Sequence, residues 1–165
     1  MIQRIQSVYL LLVFVFSLLG MFLTVGTLRV EDPQMATGIP AGEIVIKLTG
    51  VLFPEGLSVL PENSILGVVA LIMAFVAMAI SGFAIMQFKK RPFQIQLAKL
   101  LVLFLVGQVL TVFYFVEHFK NFFVGYELTY GLGVFLPLIS MILTLLAIKA
   151  IRRDILLVKS ADRIR

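Results

Sequence analysis

Glu117 and His118 are the one adjacent carboxylate and imidazole in the chain, the first place to look for acid–base or metal chemistry. Sequence neighbours on a helix point in different directions. His118 is also the single histidine of a chain with no cysteine, and a zinc-type site needs more such ligands than that. A catalytic role would require Glu62 or Glu127 to converge on the pair, and polar capping at a membrane interface is the reading the residues favour. The other candidate is Gln108, with Thr111 one turn on, in the middle of an apolar stretch. A carboxamide in hydrocarbon seeks partners, so a bond to another helix is expected ahead of substrate binding.

These residues must be held by elements suited to lipid. Of the 165 residues 61% are hydrophobic and 14% charged, with a mean hydropathy of +1.08, whereas soluble domains carry about 25% charged residues. The runs 5–28, 63–88, 100–116 and 128–148 hold no charge. Each is near or above the length that crosses a bilayer as a helix, once residues from 93 onward complete the third. The first run is longer than a signal-peptide core and has no small-residue cleavage site after it, so an uncleaved helix is expected. The sequence therefore predicts one membrane domain, residues 1–165, of the all-α class: a four-transmembrane-helix bundle with helices at about 5–28, 63–88, 93–116 and 128–150. No ionisable group falls at the centre of a span, which counts against a proton-coupled transporter or an intramembrane hydrolase.

The second helix carries Gly67, Ala70, Ala74, Ala77, Ser81 and Ala84 at steps of three and four. That spacing puts six small side chains on one face, where another helix can approach closely. The first or fourth helix is the expected partner, within the chain ahead of a second chain. Ser17, Gly20, Thr24, Gly26 and Thr27 are small enough to face a helix from the first span. Pro137 removes a backbone donor inside the fourth span, so a kink is expected there, with Gly131 and Gly133 on the preceding turn. Residues 29–62 form the one sizeable loop. Within it 43–49 alternate and are β-branched, a short strand whose antiparallel partner would be 27–31. Leu52, Phe53 and Leu57 are expected to face inward beneath that hairpin. Residues 117–127 read as a second turn, with Gly125 as its breaker.

Charge sets the expected orientation. Eleven of the 14 Lys and Arg residues lie in the segments that share a side with the two termini: Arg4, Lys89, Lys90, Arg91, Lys99 and six in the tail 149–165, Arg152 and Arg153 among them. Seven of the nine acids lie in the other loops. By the positive-inside rule both termini are cytoplasmic, Lys89–Arg91 and Arg152–Arg153 are cytoplasmic anchors, and the hairpin is extracytoplasmic. The net charge of +5 follows from this distribution, so nucleic acid is not an expected partner. The expected partners are the bilayer, anionic lipid at the cytoplasmic face, and a membrane-protein partner or a second copy of the chain. No cofactor and no metal site are expected.

The two ends, MIQRIQSVYLLL and AIKAIRRDILLVKSADRIR, resemble domain-of-unknown-function family 4293, and the resemblance spans essentially the whole chain. It implies four transmembrane helices in a bacterial inner membrane and supplies no activity or catalytic residue. With no nucleophile–base set, phosphate loop or buried charge in the sequence, the expected role is a non-enzymatic subunit, assembly factor or scaffold of an envelope membrane complex. The rival is a small oligomeric transporter, channel or lipid-binding protein, with Gln108 and the Pro137 kink lining a cavity between the third and fourth helices.

Overall fold

A computed structural model describes residues 3–30, 43–52, 65–88, 90–122 and 126–162. The elements run α1 (Gln3–Phe22), β1 (Thr24–Val30), β2 (Glu43–Lys47), β3 (Gly50–Leu52), α2 (Ile65–Met86), α3 (Arg91–Phe122), β4 (Tyr126–Tyr130) and α4 (Leu132–Asp162). All four helices are long and apolar enough to cross a membrane. Each packs on its neighbours in sequence, and α1 closes the ring against α4.

Every helix turns one narrow stripe inward at steps of three and four. On α1 the buried positions include Gln6, Leu10, Val13, Ser17 and Gly20; on α3 they include Gln94, Ala98, Leu101, Leu105, Gln108, Val112 and Phe115. On α4 they include Gly133, Pro137, Ser140, Thr144, Ala147, Ile151 and Asp154. A seven-residue repeat of this kind is the seam of left-handed helix packing. The opposite faces expose large apolar side chains such as Leu11, Phe75, Leu103 and Ile142, as a lipid-facing surface should.

The small sheet is larger than the expected hairpin. Its order is β3-β2-β1-β4, all antiparallel. The expected pair is present, with Thr27 opposite Val45 and Arg29 opposite Glu43, and β3 and β4 extend it on either side. Strand alternation gives the sheet one apolar face. Leu28, Ile44, Ile46 and Val51 form a buried cluster with Phe115 of α3, and Leu66 of α2 packs against it. Gly50 opens β3 just after the Leu48–Thr49 turn with a φ of 152°, a conformation that side-chain-bearing residues rarely adopt. The sheet thus caps one end of the bundle, while α1 begins and α4 runs out toward the other.

Several expected boundaries are corrected. The first helix stops at Phe22, and Thr24, Gly26 and Thr27 belong to β1, where they pair with neighbouring strands; Gly26 still lies against a helix, since a Cβ there would stand 3.4 Å from Val116 of α3. Apolar content alone could not separate this strand from the helix before it; the β-branched alternation of 24–30 could. The third helix continues through Glu117 and His118 to Phe122 instead of turning at 117, because no helix breaker precedes Gly125, which lies outside the described residues. Residues 128–130 are strand, and the fourth helix starts at Leu132 and runs on through the tail to Asp162. Leu52 is exposed and Val51 takes the inward place; Phe53 and Leu57 lie outside the described residues.

Candidate functional site

The small-residue face of α2 comes first. Gly67, Ala70, Ala74, Ala77, Ser81 and Ala84 are all buried within the chain. Ala77 and Ala84 meet Leu10 and Val13 of α1, Leu101 and Leu105 of α3 and Ala147 of α4 in one apolar cluster. Ala70 joins a second cluster near the sheet with Val25, Leu48, Val112, Val116 and Val134. The neighbours of α2 are therefore α1 and α3; the expected fourth helix reaches it mainly through the central cluster. Gly67 is small for a local reason, since a Cβ there would lie 3.2 Å from the Phe115 ring. Ala77→Leu is expected to cost about 1–3 kcal/mol by overpacking. A thermal melt in detergent micelles checks this, and an unchanged midpoint would show that the face is not tightly packed.

Three side-chain contacts bolt the helices together at the terminal end. Gln6 Nε2 donates to the Ala150 carbonyl at 3.3 Å, tying α1 to α4. Gln94 Nε2 donates to the Ala84 carbonyl at 3.1 Å across the α2–α3 turn. Arg91 lies 3.3 Å from the Asp154 carboxylate, and its Nη1 donates to the Asp154 carbonyl at 3.5 Å. Asp154 is buried, at 7% exposure. Beyond the anchoring role its charge suggests, Arg91 is half-buried and grips α4. Lys90, Arg152 and Arg153 are exposed, and Lys89 lies outside the described residues.

The middle of the bundle holds buried polar oxygens. Gln108 is 2% exposed and its Oε1 accepts no hydrogen bond; the hydroxyls of Ser17 and Ser140 are also buried without a partner. Thr111 donates back to the Gly107 carbonyl of its own helix at 2.8 Å, and Thr144 does the same to Ser140 at 2.7 Å. The α4 helix passes through Pro137, which is buried. An orphaned buried acceptor costs about 1–3 kcal/mol. Gln108→Met is therefore expected to leave the melting midpoint unchanged or raise it. A fall of several degrees would show that the carboxamide bridges helices.

Glu117 and His118 sit on the last turns of α3, where the His118 ring stacks on Tyr114 at 6.2 Å. Among the described residues, no group of three His, Cys, Asp or Glu side chains is placed to hold a metal ion. Gln6, Gln94 and Asp154 are the contributors that composition and span counting passed over. Their signal is the three-four spacing itself, because each extends an apolar stripe by one step.

Together these features define a multi-pass membrane protein whose four helices are capped at one end by a small antiparallel sheet. The family described as a domain of unknown function (DUF4293) matches residues 2–164, and the chain belongs to it. Among curated proteins no match is found.

Proposed function

We propose that the protein is a non-enzymatic subunit, assembly factor or scaffold of a larger membrane complex, in the inner membrane of a bacterium. Both termini lie in the cytoplasm and the sheet on the opposite side. The asymmetry of Lys and Arg along the chain supports that orientation, and the resemblance of the two ends supports the location.

The observation that carries the reading is the sheet. Its apolar face is rooted in the helix ends, so it is rigidly mounted. Its other face presents Arg29, Glu43, Glu127 and Thr129 to solvent, with Arg29 and Glu43 3.6 Å apart and both well exposed. An exposed ion pair of this kind adds little stability; it makes the surface polar, a platform for another protein. Strand β4 is an edge of the sheet, and edge strands offer backbone groups to a partner strand. Affinity purification of the full chain in mild detergent should recover a stoichiometric partner, and a clean monomer under several mild conditions would overturn the proposal. Reporters fused after Gly42 and Gly125 should read as extracytoplasmic, and those after Arg91 and Arg165 as cytoplasmic.

A small transporter or channel is the second reading, favoured by the unpartnered oxygens of Ser17, Gln108 and Ser140 inside the bundle. Solute flux through liposomes that is abolished by Gln108→Leu would support it over the scaffold.

A further inference from the structure

Two open grooves flank the last third of α4, of about 810 Å³ on the α1 side and about 630 Å³ on the α3 side. Both volumes fall in the range of sites that hold small molecules. They share Lys149, Arg153 and Leu156, which are spaced four and three apart and so form a single ridge on the helix. Beyond the ridge, Arg153 is joined by Ser160 in the first groove and by Lys99 and Arg152 in the second. The deeper walls are apolar, with Tyr9 and Leu146 on one side and Val102 and Leu145 on the other.

Depth and charge agree on what would lie there. About twenty residues of helix cross the hydrocarbon, so an α4 that starts at Leu132 reaches the headgroup level near Arg152. Lys149, Arg152 and Arg153 stand at that level with greasy walls beneath them. Among the described residues no carboxylate pairs with these three, because Asp154 is turned inward and held by Arg91. The pattern is cationic at the interface and apolar below, and it is doubled about one basic ridge.

We infer that this saddle is a binding site for a diphosphatidylglycerol-type phospholipid, with its two phosphates on the Lys149–Arg153 ridge and its acyl chains in both grooves. Arginine's planar fork suits phosphate oxygens, and basic pockets between membrane helices are suited to such headgroups. A single-phosphate lipid would fill one groove and set one phosphate against a ridge that carries two cations. The site depends only on the bundle standing in a bilayer; it is independent of the scaffold proposal and of which face the termini occupy.

The test is native mass spectrometry of the full chain released from detergent, with tetraoleoyl diphosphatidylglycerol compared against dioleoyl phosphatidylglycerol at equal phosphate. One diphosphatidylglycerol per chain should be retained preferentially. The variant Lys149→Gln/Arg153→Gln, altered at two exposed positions, should weaken retention about 30-fold at the usual worth of an interfacial cation. Lys90→Gln, at the same end but outside both grooves, should change nothing. Equal retention of the two lipids, no effect of the double variant, or an equal effect of Lys90→Gln would each overturn the site. Should the double variant fold poorly, photo-crosslinking the unaltered chain with a diazirine-tailed diphosphatidylglycerol decides the matter. Label should fall on α1 and α3 residues beside α4, and label confined to α2 would refute the assignment.

Discussion

Gly131→Val should abolish recovery of the folded bundle, and Gly131→Ala should already destabilise it by about 3 kcal/mol or more. Gly131 joins β4 to α4, and its N–H donates to the Val25 carbonyl at 2.9 Å. A Cβ at this position would run into the Thr24 carbonyl. That carbonyl has little room to yield, because Thr24 pairs with Lys47 in the sheet and lies two residues past the end of α1. Alanine keeps the backbone N–H, so any loss reports the steric clash and not a missing hydrogen bond. Gly133 is constrained in the same way, 2.8 Å from the Thr24 oxygen in a Cβ-bearing form. Gly20→Ala is the matched control: its Cβ would meet only Leu136 at 3.8 Å, an ordinary contact, and alanine is the better helix former. Size-exclusion chromatography in detergent and a thermal melt should separate the three variants clearly.

Removing either partner of the Arg91–Asp154 pair is the second large effect. The side chains are 22% and 10% exposed, so an orphaned charge would stay largely out of water. Breaking a buried pair from one side costs about 3–5 kcal/mol, and replacing both partners by apolar residues is often neutral. Because the pair sits near the membrane surface, where water can reach Arg91, the lower end is expected: about 3 kcal/mol for Arg91→Met or Asp154→Leu alone. The double variant Arg91→Met/Asp154→Leu should recover most of that loss. The double-variant cycle, read from melting midpoints, distinguishes this from a simple packing role, for which the two losses would add.

The spans were legible because twenty uninterrupted apolar residues have few other uses, and the six small residues of α2 because their spacing is a helical one. The sequence places Gly131 and Gly133 on the turn before Pro137; the structure adds that they let the start of α4 lie against the α1–β1 corner. That role depends on a carbonyl over a hundred residues away in sequence, which local pattern cannot show. Strand β4 was hidden for a related reason. Leu128, Thr129 and Tyr130 continue the apolar run of α4, and only β1, distant in sequence, makes them a strand. Arg91 was visible as charge and not as a partner of Asp154, since nothing local to either residue points to the other.

The sheet order has a consequence for how the chain is built. Strand β1 follows the first helix directly and β4 precedes the last one, yet the two are hydrogen-bonded neighbours. A seven-residue repeat alone would tolerate a helix slipped by one repeat, because the same stripe would still face inward. The β1–β4 ladder does not tolerate it: Gly26 faces Tyr130 and Arg29 faces Glu127 in one register. The β1–β4 ladder therefore ties the depth of α1 to that of α4 and fixes a register that the two helices by themselves leave open.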